Sequence, residues 1–113
     1  YNVYPQVVER AVNECPGVRE SAVFGVPDPV RGEAVAAAVV RADPGLDETR
    51  LRAFLADRLV DYQRPRVVVF VAELPRNAMG KVPAAELRKL IPRGEGPRRD
   101  RPAGGRKDTD QFF

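Results

Sequence analysis

Apolar positions in PQVVERAVNEC (residues 5–15) recur at helical spacing, so that Val8, Ala11, Val12 and Cys15 share one side of a helix. Pro5 suits the first helical turn, where its missing N–H costs no bond, and Pro16-Gly17 ends the element. The period then changes. VRESAVFGV (18–26) and AVAAAVVRA (34–42) are runs of β-branched, aromatic and small apolar residues on either side of the turn-rich PDPVRGE, which predicts two strands joined as a hairpin with a long connection. DPGLDETRLRAFLADRLVDY (43–62) returns to helical spacing, with Asp47 as N-cap and Leu51, Phe54, Leu55, Leu59 and Val60 as the apolar stripe. The charged residues of RLRAFLADR (50–58) form its solvated side, with ion pairs. Pro65 blocks continuation, RVVVFVAEL (66–74) predicts a third strand, and PAAELRKLI (83–91) predicts a short helix that starts near Pro83 and turns Leu87, Leu90 and Ile91 inward. The order of helix, two strands, helix, strand, loop and helix describes an α+β fold: a small compact domain with a three-stranded sheet flanked by helices, spanning residues 1–91.

Beyond that point IPRGEGPRRDRPAGGRKDTDQFF loses all periodicity and fills with Pro, Gly and Arg, so residues 92–113 read as a disordered tail. Charge has a bearing here. The net charge is +3, but residues 1–91 carry 13 basic against 12 acidic side chains and the tail carries 6 against 4. The ordered part is therefore balanced and lacks an aromatic platform, which argues against a nucleic-acid partner. With 43% hydrophobic and 31% charged residues the chain is of ordinary globular composition and holds no membrane span. The opening YNVYP has neither the basic nor the apolar region of a signal peptide and reads as the start of a segment cut from something longer.

Candidate chemistry is narrowed by what is scarce. With no histidine and one cysteine, imidazole-based acid/base catalysis, a zinc site and a disulfide framework all lack their residues, and no metal ligands are assigned. Cys15, at the end of the first helix, reads as a small buried hydrophobe rather than a nucleophile. Lysine is almost as sparse as cysteine: Lys81, Lys89 and Lys107 stand among many arginines. Lys81 follows Gly80 in the loop ELPRNAMGKV (73–82). A phosphate-binding P-loop would need Gly at Pro75 and Ser or Thr at Val82, so that reading fails at both positions.

LPRNAMGKV resembles the C-terminal signature loop of the adenylate-forming enzymes, the acyl-CoA synthetases and their relatives, whose pattern of Pro, four variable residues, Gly and Lys is met by Pro75, Gly80 and Lys81. YNVYPQVVE is similar to the family's entry into its C-terminal domain. PGVRESAVFGVPDPVRGEAVAAAVV and LVDYQRPRVVVFVAELPRNAMGK follow two further blocks of that domain in the same order. The resemblance implies a lid that closes over a large N-terminal adenylation domain, joined in cis or acting in trans. The pair would activate a carboxylic acid, of the fatty-acid class, with ATP to an acyl-adenylate and pass it to the thiol of CoA or of a carrier protein. Mg2+ would accompany ATP, bound mainly outside this chain. Lys81 would be the catalytic residue of adenylation; Gly80, Arg76 and Asn77 would meet substrate from the same loop, and Asn2 and Tyr4 from the entry segment. Pro27, Asp28, Gly32 and Glu33 match the family but read as turn formers.

The match is not complete. Val7 stands where the family usually has Glu, and VPAAEL replaces a more basic run, which puts contacts from those side chains in doubt. An alternative of another class is a free-standing module of the same fold that docks on an adenylating subunit or a carrier protein. A lone thiol and the lack of an export signal point to the cytoplasm.

Overall fold

The computed structural model describes residues 4–91. Asn2 and the tail from residue 92 onward lie outside the described residues. Helix α1 (Pro5–Asn13) is followed by strands β1 (Val18–Asp28) and β2 (Gly32–Arg41), helix α2 (Glu48–Ala56), a 3-10 turn (Asp61–Gln63), strand β3 (Val67–Phe70) and helix α3 (Ala84–Arg88). The sheet has the order β1-β2-β3, with β1 antiparallel and β3 parallel to the central β2. A parallel neighbour needs a crossover, and α2 with the 3-10 turn provides it.

Covering on both faces explains the composition of β2. Successive side chains of a strand point to opposite faces. Ala37 and Val39 pack with Val8, Ala11 and Val12 of α1 and with Leu51 and Leu55 of α2. Ala34, Ala36, Ala38 and Val40 pack on the other side with Ala22, Phe24 and Val26 of β1, Leu74 and Leu87. A strand with no wet face has no polar alternation, hence AVAAAVV.

Three expectations are corrected. The hairpin connection is short: Asp28 pairs with Gly32, leaving Pro29, Val30 and Arg31 between the strands. Gly32 takes φ 84°, the left-handed conformation that closes a three-residue hairpin loop. The buried Asp28 carboxylate accepts the Val30 N–H at 3.1 Å and lies 3.6 Å from Arg31, so residues that look like a long turn extend the ladder. The second difference is at the end of α2, where the helix stops at Ala56 and Val60 is 52% exposed. Arg64 donates to the carbonyls of Ala56 and Leu59, satisfying the end of the helix and leaving Val60 extended on the surface. Third, β3 is half the length its composition suggests. Its last ladder bond runs from the Val71 N–H to the Val39 carbonyl, and β2 itself ends two residues on, so the chain turns and buries Leu74 against α3's Leu87.

Other expectations stand. Asp47 caps α2 by accepting the Arg50 N–H at 2.8 Å. The solvated side of α2 pairs Arg52 with Glu48 at 2.7 Å, and just past the helix Arg58 pairs with Glu14 at 3.7 Å. Cys15 is buried in the α1–α2 core, and desolvation raises its thiol pKa above the ordinary value near 9.0, partly offset by Arg50 and Arg58. A raised folded-state pKa means the folded form keeps its proton where the unfolded chain gives it up. This contribution to stability is therefore whole below pH 9 and falls away as the pH climbs past it. Two outcomes are expected: slow reaction of Cys15 with a thiol reagent at pH 7 until the domain opens, and a lower midpoint of denaturation at pH 10 than at pH 8 that the Cys15→Ala variant does not share.

Candidate functional site

Lys81 sits in a loop that closes on itself through one side chain. Asn77 Oδ1 accepts the N–H groups of Met79 at 2.9 Å and Lys81 at 3.0 Å. The Asn77 N–H donates to the Lys81 carbonyl at 2.8 Å and the Gly80 N–H to the Asn77 carbonyl at 2.9 Å. Asparagine can imitate a backbone turn in this way, because its amide oxygen reaches main-chain N–H groups two to four residues on. Gly80 has φ 83°, and a Cβ there would meet nothing within 4 Å. The need for glycine at that position is thus conformational, with no neighbour crowding it.

Arg76 adds an outside connection. Its Nη1 donates to the Gly80 carbonyl at 3.2 Å and its Nη2 to Glu20 Oε1 on β1 at 2.6 Å. The loop is flanked by Leu74 and Val82, which both pack into the core on the α3 side of the sheet. An open cleft of about 430 Å³ lies between the loop, α1 and β1, lined by Glu9, Asn13, Glu20, Ser21, Arg76 and Val82 among others.

Lys81 is exposed, and among the described residues no side chain pairs with it, whereas Lys89 lies 3.2 Å from Glu86. The result is a hydrogen-bonded loop backbone carrying an exposed lysine side chain. Met79 projects beside it, 79% exposed. Gly80, Arg76 and Asn77 therefore join Lys81 in one hydrogen-bonded unit. Tyr4 does not: it stands at the N-cap of α1, 62% exposed. Asn2 lies outside the described residues. Glu20 was not among the residues singled out from the sequence, since nothing local marks it as the partner of a residue 56 positions away. No cluster of three or more His, Cys, Asp or Glu is placed to hold a metal ion among the described residues, and no helix there is long and apolar enough to cross a membrane.

The described residues thus form a three-stranded α+β unit with an exposed lysine on a Gly-Lys loop. The chain belongs to the family described as "AMP-binding enzyme C-terminal domain", which it matches over residues 7–81. It is 44% identical over 88 residues to a long-chain-fatty-acid-CoA ligase of Escherichia coli O6:H1, covering 78% of this chain and 16% of that protein. It is 45% identical over 96 residues to a 2-succinylbenzoate-CoA ligase of Geobacillus kaustophilus, covering 83% of this chain and 19% of that protein. Among solved structures, the amide bond synthetase McbA from Marinactinospora thermotolerans is similar with a TM-score of 0.73 and 48% identity, over 79% of this chain and 18% of that one. ATP-bound MatB from Rhodopseudomonas palustris gives a TM-score of 0.73 and 45% identity, again over 79% of this chain and 18% of that one. The chain spans less than a fifth of the length of these relatives.

Proposed function

We propose that the chain is the lid of an ATP-dependent, AMP-forming acid-thiol ligase, and that Lys81 serves its first half-reaction. The observation that carries this reading is the Lys81 ammonium, without a side-chain partner among the described residues, on a loop whose backbone is held from both sides by Asn77. In the reaction envisaged, an oxygen of the substrate carboxylate attacks the α-phosphorus of ATP, the bond to the β-phosphate oxygen breaks, and pyrophosphate leaves. Negative charge gathers on the α-phosphoryl oxygens as this happens. An ammonium placed against them and against the carboxylate lowers the barrier by charge stabilisation and by holding the nucleophile in line. Lysine suits a moving lid because its charge is compact and its stem is long, while an arginine fork fits fixed bidentate pairing.

In the second half-reaction the thiolate of CoA attacks the acyl carbon and AMP leaves. Tyr4, exposed at the start of α1, together with Asn2 is assigned to the face turned to the thiol. Because that face, and not the Lys81 loop, is turned to the site in this step, Lys81 is assigned no part in it. The ATP and acyl pockets, and the ligands of Mg2+, are assigned to the adenylation domain over which this chain closes. The lid itself is assigned to residues 1–91, with 92–113 as an extension, and the ligase to the cytoplasm, where its thiol stays reduced. The fatty-acid class of the substrate follows the activity named for the Escherichia coli relative.

A chimera tests the reading. Residues 1–91 are grafted in place of the C-terminal domain of a fatty-acid-CoA ligase, and ATP–pyrophosphate exchange and acyl-CoA formation are followed separately. The graft is expected to restore both half-reactions, and the chain alone to support neither, since one loop supplies no enclosed site. A graft that folds yet leaves exchange at the level of the lidless enzyme would sink the proposal.

A further inference from the structure

We propose that Glu20 and Arg76 form a positioning pair for Lys81, in which the guanidinium fork fixes the peptide bearing the lysine to strand β1. The inference rests on the reading of Lys81 as the adenylation lysine. Its geometry is particular. One arm of Arg76 holds the Gly80 carbonyl, the oxygen of the peptide bond that leads into Lys81, and the other holds Glu20 at 2.6 Å. Leu74 and Val82 anchor the two ends of the loop in the core on the same side of the sheet. Arg76 is the third anchor, and of the three it is the one bound to the peptide next to the lysine.

Glu20 is available for this because β1 is irregular. The ladder with β2 shifts register between Val18 and Glu20. Val18 packs toward α1 and α2, whereas Ala22, Phe24 and Val26 face α3. Strict alternation from Val18 would send Glu20 to the α1–α2 core; the bulge re-aims it to the face under the Lys81 loop. There it meets the arginine across the open cleft.

A direct role for Arg76 on phosphate is the competing view. A guanidinium already neutralised by a carboxylate at 2.6 Å is a weak attractor for a second anion, and the arm on the Gly80 carbonyl would have to be surrendered. Simple stabilisation of the fold is no better an account. The two side chains are 47% and 33% exposed, and ion pairs of that exposure add little to stability.

The test uses the ligase closed by this domain. Glu20→Ala and Arg76→Ala are each expected to lower kcat for adenylation roughly 10- to 100-fold, the scale of an ångström-sized misplacement. The KM for ATP and transfer from supplied acyl-adenylate should be almost unchanged. The double variant should be no slower than the slower single one, because both break one device. Neither change should slow a Lys81→Ala enzyme further, a result that general loosening of the lid would not give. Arg76→Lys keeps the charge but cannot hold both partners, so it should rescue little. A raised KM for ATP with full rescue by Arg76→Lys would overturn the pair in favour of phosphate binding, and losses that persist on top of Lys81→Ala would overturn it equally. If Lys81→Ala cripples adenylation while Glu20→Ala and Arg76→Ala run at the parent rate, the positioning pair fails and the lysine reading survives. If Lys81→Ala is itself harmless, both fall. In the 113-residue chain, backbone 15N relaxation offers a measure free of activity: Glu20→Ala should loosen residues 77–81 and leave α1 and α2 unaffected, and an unchanged loop would count against the pair.

Discussion

Replacing Lys81 with alanine should slow acyl-adenylate formation by about 10²- to 10³-fold, the cost of deleting one preorganised donor from a site of developing charge. Transfer of a supplied adenylate to CoA should stay near the parent rate. The asymmetry follows from which face of the lid is turned to the site. Charge gathers on the α-phosphoryl oxygens in the first step, where the Lys81 loop is assigned; in the second it gathers on the acyl oxygen and the departing AMP, where the Tyr4 face is assigned instead. The backbone of the loop gives no reason for the variant to misfold. Its bonds run through Asn77, Gly80 and the main chain of residue 81, and the side chain removed is exposed. Lys81→Arg should recover little, since a planar fork on the same backbone would place its charge differently. Separate assays of pyrophosphate exchange and thioester formation give the answer. Equal losses in the two half-reactions would mean that the lysine orders the closed lid in general and does not act on the phosphate.

How much of this was legible in the chain varied with the range of the interaction. Elements set by local chemistry were readable: α1 between Pro5 and its Pro-Gly stop, and α2 from its Asp47 cap. So was the turn at Gly80, with its φ of 83°; Lys81 was singled out by a resemblance and not by local chemistry. The hairpin was missed for a local reason, Asp28 accepting the Val30 N–H of its own loop. Facts set outside an element were hidden: the length of β3 depends on where β2 ends, and the fate of Val60 on where Arg64 puts its guanidinium. Glu20 is the clearest case. Its partner is 56 residues away, and its face is decided by a bulge that alternation rules do not foresee. Asn77 fell between the two, singled out as a residue that would meet substrate but not as the acceptor of two main-chain N–H groups.

Leu51→Ala should destabilise the domain by about 2–5 kcal/mol, the range for cutting a buried leucine back to its Cβ. Leu51 is fully buried at the centre of the α1–α2 core, in a cluster with Leu55, Leu46, Val8, Val12, Ala37 and Val39. Its neighbours on the sheet are small, so little side chain is at hand to swing into the space, and collapse would need α2 itself to move. Asp47 capping and the Arg52 bonds to Glu48 and the Pro65 carbonyl hold the helix in place, which keeps the cavity open and the cost toward the upper end. A domain of this size has only about 5–15 kcal/mol in hand. The midpoint of thermal unfolding should therefore drop by at least 10 °C or so, at roughly 4–8 °C per kcal/mol for a chain of this length. Val60→Ala, on a residue that sequence pattern places in the same stripe but that is 52% exposed, should change stability by no more than about 0.5 kcal/mol. If the lid moves as a rigid body, Leu51→Ala should leave adenylation at low temperature intact and abolish it only as the unfolding midpoint is approached. Loss of activity well below that midpoint would show instead that the core and the Lys81 loop, on opposite faces of the sheet, are mechanically coupled through β1 and β2.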